Sequence, residues 1–484
     1  MKLRYIYLLA VAVSLFSCKP EMKDGFLPNS GSADFSTYVA VGNSLTAGYA
    51  DGALYHSGQQ NGWANILAKQ LQEVGGGEFV QPVVNSEQGV LPGKLTLAEI
   101  NGALLPVPAQ DGELEGFYPP VGYAVNNLGV PGAKVGHLLA NGFGNIQNVA
   151  LGLANPYFVR FASSPDVSVV EQAVSMQPTF FSLWIGNNDV LGYAGSGGVG
   201  DAITPEAQFS VYYTALTQSL ASTGAKGVLA NIPSVTSAAF FNTIPPNALV
   251  VDAATAAQLN GGIASVETQI NAILEQAGLP HYSYGITFTP GANGFLIQDN
   301  DFPYKDLLNA IADTSSSPVT RMLLHQVQFR QIDAAGGELL TLKTPQDSLA
   351  MGMGSFMTLG EGLPPMPFGI PDVYVLDKNE LANIHTAISS YNSIIKNIAD
   401  QNGWAFVDIN AKFNEMKDGV TVDGVDLDAE YVTGGIFGLD GIHLTPRGNA
   451  AVANFFVEAI NEKYGAQIST VNVAEYPAVD FPNE

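Results

Sequence analysis

Short apolar segments alternate with longer segments of helical periodicity along most of this chain. Five of the short segments are predicted to be strands because they are compact runs of apolar residues, several of them closed by a turn residue. They are residues 38–42, 123–127, 178–185, 226–232 and 404–409. The unbroken apolar run of residues 178–185 is typical of a central strand in a parallel sheet, buried on both faces.

Helices are predicted between these strands, where apolar residues recur every three or four positions. The segments are 64–74, 204–220, 259–274, 381–398 and 451–460. One starts at a potential cap, Thr204, followed by Pro205 at the first helical position. Another starts at Asp377, with Glu380 three residues later as in a capping box. The alternation favours an α/β fold, with a parallel sheet covered by helices on both faces.

Two long segments interrupt the alternation and are predicted to be insertions, at about 81–120 and 238–371. The first is rich in glycine, proline and asparagine, and we expect little regular structure there. The second is irregular beyond the helix at 259–274. Within it, residues 351–357 are rich in methionine, and methionine-rich surfaces adapt to varied apolar partners. This passage is either a buried hairpin or a lid over an apolar substrate group.

The charge balance excludes one class of partner. The 484 residues include 19 Lys and Arg against 44 Asp and Glu, which gives a formal net charge of -25. Such an acidic protein is repelled by nucleic-acid phosphates and by anionic lipid surfaces. Nucleic acid is therefore not an expected partner. The length is compatible with a single large α/β domain that contains insertions.

The N-terminal residues are predicted to be an export signal and not part of the fold. Lys2 and Arg4 precede an apolar segment, residues 6–16, that is short for a permanent membrane span. Cys18, the sole cysteine, ends a sequence that resembles a bacterial lipobox. We expect a signal peptide at 1–17, lipidation of Cys18 and a polar tether at 18–35. A lipid anchor would hold the protein in the bacterial cell envelope, on a membrane face that the sequence leaves open.

Ser44 follows the first predicted strand and is the first candidate for chemistry. The strand stops at Gly42, and a serine at a helix start can cap the helix and leave its hydroxyl exposed. Open α/β sheets bind their ligands at the carboxyl ends of the strands. Taken alone, the pattern is better explained as an ordinary turn. A nucleophilic serine also needs a base, an orienting acid and an oxyanion site.

His443 is the best candidate for the base. It lies three residues after Asp440, so the carboxylate can hold the imidazole in one tautomer while the other ring nitrogen faces a serine. Taken alone, this spacing is more often a surface turn. The remaining histidines lack such an acidic neighbour and are interpreted as structural or solvated: His56, His137, His281, His325 and His385.

Two more loops follow predicted strands. The glycine-rich turn at 128–133 contains Gly132, where a backbone N–H can approach a ligand closely. Residues 186–189, with the sequence Gly-Asn-Asn-Asp, follow the strand at 178–185. Together with the serine turn and residues 440–443, these loops resemble the SGNH, or GDSL-type, esterase and lipase family, in the family's order.

The resemblance covers residues 36–465 and implies a fold. The expected architecture is a flavodoxin-like three-layer α/β/α sandwich with a mostly parallel five-stranded sheet and long insertions. Residues 466–484 would be a C-terminal tail.

The resemblance also implies a role for each candidate residue. Ser44 would be the nucleophile, His443 the general base and then acid, and Asp440 the orienting carboxylate. The backbone N–H groups of Ser44 and Gly132 and the side-chain amide of Asn188 would form the oxyanion hole, with no metal or cofactor. One departure is Asn43, where the family usually has aspartate. Asparagine can still organise the turn.

The leading functional hypothesis is a lipid-anchored hydrolase of lipid or short-chain carboxylic esters, working through an acyl-enzyme. One alternative is a polysaccharide O-acetyl esterase, and another is a non-catalytic surface protein that captures glycan or lipid on the same fold. Metal binding by residues 299–301, or by the aspartates among residues 423–428, is disfavoured because neither has the full spacing of a calcium loop.

Overall fold

The computed structural model describes residues 27–100, 102–110, 112–113, 118–357 and 366–482. The predicted signal peptide, Cys18 and the first part of the tether lie outside the described residues. Within the described ranges, no helix is both long and apolar enough to cross a bilayer.

Five parallel strands form the central sheet. They are β1 (Tyr38–Gly42), β2 (Asn127–Gly129), β3 (Phe180–Trp184), β4 (Lys226–Ala230) and β5 (Ala405–Val407). Their spatial order is β5-β4-β3-β1-β2, and every neighbouring pair is parallel. This is the flavodoxin-like strand order, in which the carboxyl ends of all strands meet at one edge. The predicted fold class is confirmed.

Helices cover both faces of the sheet. The main helices are α1 (Ser44–Ala47), α2 (Trp63–Gln72), α3 (Val169–Ser175), α4 (Asn188–Ala194), α5 (Glu206–Ala221), α6 (Ala253–Gln276), α7 (Lys378–Asn402), α8 (Ile409–Lys417) and α9 (Pro446–Tyr464). α2 and α9 pack together on one face, where Trp63 stacks on Phe456 with ring centroids 4.2 Å apart. α3, α5 and α7 cover the other face, where Phe209 stacks on Tyr391 at 3.8 Å.

Shorter elements lie in the connections. The short α-helices are His56–Gln60, Ile146–Val149, Pro156–Val159, Lys305–Thr314, Pro318–Gln326 and Gln346–Ala350. The 3-10 helices are Val135–Leu139, Val235–Ser237, Ala239–Phe241, Asp372–Tyr374 and Val473–Glu475. The antiparallel strand pairs are Leu95–Ile100 with Ala103–Pro108, Leu249–Val251 with Gly291–Asn293, Leu296–Gln298 with Phe329–Gln331, Leu339–Leu340 with Val375–Leu376, Ser355–Met357 with Met366–Phe368, and Val420–Val422 with Val425–Leu427.

Several sequence expectations need correction. The helix predicted to start at a Thr204 cap begins at Glu206, with Pro205 at the N-cap position and no side-chain cap. The strand predicted at 123–127 lies at Asn127–Gly129. Its bounds are set by pairing with Ala40–Gly42 of β1, whereas the prediction relied on the apolar residues before Asn127. The segment 81–120 was expected to carry little regular structure but contains a hairpin, Leu95–Ile100 with Ala103–Pro108. The insertion at 238–371 appeared irregular in sequence, yet it has a core of its own.

That second core is built around α6. The helix buries one apolar stripe, as its periodicity predicts: Leu259, Ile263, Val266, Ile270 and Leu274. Phe288, Phe302 and Phe329 pack with this stripe. An adjoining cluster contains Met353, which is only 3% exposed. The methionine-rich passage therefore contributes to the packing of the insertion.

Candidate active site

The turn between β1 and α1 presents Ser44. Gly42 ends the strand where a Cβ atom would lie 2.1 Å from Oγ1 of Thr46, so the turn has no room for a larger residue. Asn43 caps the helix, since its Oδ1 accepts the N–H of Leu45 at 3.0 Å. Ser44 is the first helical residue, which corrects the expectation that Ser44 itself is the cap.

Asn43 also joins this turn to a second loop. Its Nδ2 donates to Oδ1 of Asn187 at 3.1 Å, and both residues are buried. The neutral amide can donate and accept at the same time, which a carboxylate cannot do. Asn43 therefore organises the turn, as the sequence analysis expected, and positions it against the loop that carries Asn188.

Ser44, His443 and Asp440 form a continuous hydrogen-bonded chain. His443 Nε2 lies 2.8 Å from Ser44 Oγ, and His443 Nδ1 lies 2.8 Å from Asp440 Oδ2. With Nδ1 protonated, the ring donates to the carboxylate and Nε2 can accept the serine proton. The structure thus brings together the three residues that the sequence singled out.

The Asp440 carboxylate is held in its charged form. Burial raises its pKa, but the His443 ring and the backbone N–H groups of Ile442 and His443 outweigh burial and hold the pKa well below its usual range. Those two N–H groups donate to Oδ1 at 2.9 and 2.8 Å. An ionised carboxylate here fixes the Nδ1–H tautomer and stabilises an imidazolium.

The predicted oxyanion donors lie in loops that meet at Ser44. Asn188 lines the same cavity as Ser44 and His443, and its Nδ2 donates to the carbonyl of Ala133 at 2.9 Å. Gly132 precedes Ala133, has φ +78, and has no atom within 4 Å of the position that a Cβ would take. Its backbone is therefore open to a ligand. Within the described part of the chain, the backbone N–H groups of Ser44 and Gly132 have no hydrogen-bond acceptor.

Asp189 fixes the spacing of these loops. Its Oδ2 accepts the backbone N–H of Val135 at 3.0 Å, which joins the loop after β2 to the loop after β3. Burial raises the pKa of Asp189. The sequence analysis included Asp189 in the resemblance but assigned it no role.

A loop at residues 49–55 supports the Asp440 carboxylate, and the sequence analysis missed it. The backbone N–H of Gly52 donates to Asp440 Oδ2 at 2.8 Å. Asp51 accepts the N–H of Leu439 at 2.7 Å on Oδ1 and the hydroxyl of Tyr55 at 2.6 Å on Oδ2. Burial raises the pKa of Asp51. In sequence, an Asp-Gly pair after a helix is an ordinary turn signal.

An aromatic ring covers His443. The Tyr49 ring centroid lies 4.7 Å from that of His443, and Tyr157 packs edge-on against Tyr49 at 6.2 Å. The Tyr49 hydroxyl donates to the carbonyl of Gly52. The same loop therefore supports the imidazole through Tyr49 and the carboxylate through Gly52.

The cavity beside Ser44 is small and mostly apolar. Its apolar lining residues are Leu45, Leu191, Pro233, Val235, Ala238, Phe413, Phe437 and Ile442. Its volume is about 50 Å³, whereas one water needs roughly 10–15 Å³. Residues 351–357 do not line this cavity. Met353 in that passage is buried, whereas Met351 is 68% exposed.

The acidic segments considered as metal sites make local contacts instead. Asp299 accepts the backbone N–H of Asp301, and Asp426 accepts the hydroxyl of Thr421. Within the described ranges, no group of three or more His, Cys, Asp or Glu side chains is placed to hold a metal ion.

The chain matches one family model and is distantly similar to solved structures. The sequence model of the GDSL-like lipase/acylhydrolase family matches residues 38–456. The crystal structure of an acetyl xylan esterase, AlAXEase, is similar over 87% of this chain and 98% of that protein, with 13% identity and a TM-score of 0.30. A protein classed as a GDSL-like lipase, from Parabacteroides merdae ATCC 43184, is similar over 90% of this chain and 99% of its own, with 11% identity and a TM-score of 0.33. No curated protein matches the chain significantly.

Proposed function

The chain belongs to the GDSL-like lipase/acylhydrolase family, and on that premise we propose that it hydrolyses carboxylic esters through an acyl-enzyme on Ser44. One observation carries the proposal: Ser44 Oγ, the His443 ring and the Asp440 carboxylate form one chain of hydrogen bonds, each 2.8 Å long. A serine hydroxyl is a poor nucleophile at neutral pH unless such a base removes its proton.

In the first half of the reaction, Ser44 Oγ attacks the ester carbonyl and its proton moves to His443 Nε2. The developing oxyanion accepts hydrogen bonds from the N–H groups of Ser44 and Gly132 and from the Asn188 amide. The tetrahedral intermediate collapses, His443 returns the proton to the departing alcohol, and the acyl group stays on Ser44.

In the second half, a water molecule replaces the alcohol. His443 Nε2 takes a proton from the water, the hydroxide attacks the acyl carbonyl, and the same donors hold the second oxyanion. Collapse releases the carboxylic acid and returns the proton to Ser44. Asp440 stabilises the imidazolium during both halves without accepting its proton.

The size of the cavity favours a short acyl group. A space of about 50 Å³ beside Ser44 is of a size that suits an acetyl or similar group. Among the substrates that the sequence suggested for a hydrolase, short-chain esters are therefore better supported than lipid esters.

The test uses p-nitrophenyl acetate, butyrate and octanoate. We expect kcat/KM to fall with chain length, and Ser44→Ala and His443→Ala each to lower kcat about 10⁴- to 10⁶-fold. His281→Ala, which changes an exposed histidine that lines neither this cavity nor the neighbouring groove, is the matched control and should retain full activity. The proposal would be contradicted if Ser44→Ala retained turnover, or if a fluorophosphonate probe did not label the wild-type protein. Either result would favour the hypothesis of a non-catalytic binding protein.

We also propose that the chain is anchored to the bacterial cell envelope through lipidated Cys18. The support is the export-signal pattern that ends at this cysteine. Labelled palmitate should be incorporated into the wild-type protein and not into Cys18→Ala.

A further inference from the structure

A polar groove of about 740 Å³ lies at the carboxyl ends of β4 and β5. Ligand pockets typically measure about 300–1,000 Å³, so the groove is large enough for a ligand that the small cavity at Ser44 cannot hold. Ser234, in the loop after β4, lines both spaces. The groove therefore adjoins the candidate active site and extends from it along the sheet edge.

One wall of the groove is a polar stripe on α7. His385, Ser389, Ser393 and Asn397 lie four residues apart, so they share one side of the helix over ~18 Å. All four are exposed, whereas α7 packs its apolar stripe against the sheet. The groove thus offers a row of hydroxyl, amide and imidazole groups along its length.

The opposite wall is a fixed network of asparagines. Asn231 Nδ2 donates to Asp408 Oδ1 at 2.7 Å, and Asn231 Oδ1 accepts the N–H of Asn410 at 2.9 Å. Asn414 Nδ2 donates to Asn410 Oδ1 at 3.3 Å. Because these side chains hold one another, their remaining polar atoms are positioned before a ligand arrives.

Lys396 and Asp408, the lysine and the aspartate that line the groove, both have polar partners. Lys396 pairs with Asp400 at 2.5 Å, and Asp408 is engaged by Asn231. With a formal net charge of -25, the protein also repels polyanions. Amide and hydroxyl groups suit a neutral ligand with many hydroxyls. The partly exposed ring of Phe406 lies beneath Lys396 Nζ, 5.3 Å from the ring centroid, which holds this lysine within the groove.

We propose that this groove binds the neutral glycan chain of an O-acetylated polysaccharide, with an acetylated sugar reaching Ser44 past Ser234. The inference rests on the proposed hydrolysis at Ser44 and narrows its substrate to acetyl esters of glycans. The acetyl group occupies the small cavity, and the sugars beyond the ester lie along α7. The acyl chains of a lipid ester have no polar groups that could bind the polar side chains of this groove.

Three side chains allow a clean test. His385, Ser389 and Asn397 are exposed and, within the described part of the chain, their side chains make no hydrogen bond. Their combined replacement by alanine should leave the fold intact. Gln401→Ala changes an exposed residue of α7 outside the groove and is the matched control.

The substrates are soluble acetylated xylan, acetylated glucomannan and p-nitrophenyl acetate. We expect the triple variant to raise KM about tenfold or more for at least one polymer, since it removes three polar side chains that would contact the glycan. Its kcat/KM for p-nitrophenyl acetate should equal that of wild type, and Gln401→Ala should change neither value. Unchanged KM values for both polymers would overturn the groove assignment and leave the hydrolase proposal standing.

A binding measurement separates the two proposals. In affinity electrophoresis, Ser44→Ala protein should be retarded by one of the two polymers, and the triple variant in the same background should not. This result would support glycan binding in the groove even if the wild-type protein hydrolysed no ester. Lack of hydrolysis would reject only the hydrolase proposal. If neither polymer retarded the Ser44→Ala protein, the groove assignment would be overturned.

Discussion

The backbone N–H of Leu439 donates to Oδ1 of Asp51 across 388 positions of sequence. Next to this bond, Gly52 donates to the Asp440 carboxylate, so two adjacent hydrogen bonds join the loop after α1 to the loop that carries Asp440 and His443. On its other side, the carbonyl of Gly441 accepts the N–H of Phe240 at 2.9 Å. The loop of the candidate acid and base is therefore held from both sides.

Loss of the Asp51 side chain should impair catalysis. Asp51→Ala frees the N–H of Leu439 and loosens the support of Asp440, and small displacements of a catalytic group can cost about 10²-fold in rate. We expect kcat for p-nitrophenyl acetate to fall about 10- to 100-fold at little change in KM. Asp51→Asn retains an acceptor for Leu439 and should lose less. If kcat fell equally in both variants and in proportion to the fall in their melting temperatures, Asp51 would act only by stabilising the fold.

The charge on Asp440 should matter more than its shape. Asp440→Asn can still accept the N–H groups of Ile442 and His443, so the loop should keep its form. The amide cannot stabilise the imidazolium and permits the wrong tautomer, which lowers kcat about 10⁴-fold in serine triads. Steady-state kinetics beside thermal unfolding would check this. Activity within about tenfold of wild type would contradict the assigned role.

Asn188 should act on the transition state. Removal of one oxyanion donor typically costs about 10²- to 10³-fold in kcat, and KM changes little because the ground-state carbonyl is held weakly. Asn188→Ala tests the loss of the donor. Asn188→Asp keeps the shape but places an acceptor in the hole, and should be at least as slow. If either variant raised KM while kcat stayed constant, Asn188 would be a substrate-binding residue.

Glu380 should make stability depend on pH. Burial raises the pKa of Glu380 from 4.5 to about 7, and the carboxylates of Asp377 and Asp372 add to the shift. Because the pKa is higher in the folded state, the contribution of this group is fully present below about pH 4.5 and is lost as the pH rises through about 7.

Glu380→Gln tests that dependence. Glutamine keeps an acceptor for the N–H of Asp377 in the capping box, which now lies at 2.8 Å, and carries no charge. Its melting temperature should exceed that of wild type at about pH 8 and match it at about pH 4. An equal difference at both pH values would show that Glu380 acts by packing alone.

Local signals in the sequence account for much of the fold and the site. The apolar run of β3, the capping box at Asp377 and the buried stripe of α6 each depend on neighbours within a few residues, and all three agree with the structure. Ser44 and His443 were found because each stands at a recognisable turn with suitable neighbours. Their hydrogen bond follows from the topology, which brings the strand ends to one edge.

Other features depend on contacts that sequence does not reveal. Asp51 has the appearance of a turn residue, and its role exists only where Leu439 is folded against it. Asn43 caps α1 through its Oδ1, and its Nδ2 also reaches Asn187, 144 positions away. The core of the insertion gathers Phe288, Phe302 and Phe329 from separate segments, where no periodicity marks them as partners.

The 399 positions between Ser44 and His443 have a consequence for folding. Pairing residues so distant in sequence closes nearly the whole chain into a loop, and such contacts form late and slowly. A partly synthesised chain, or one whose last helix has not docked, has a serine without a base. During refolding, the return of turnover should therefore lag behind the return of secondary structure, and activity would time the moment at which the two ends of the chain meet.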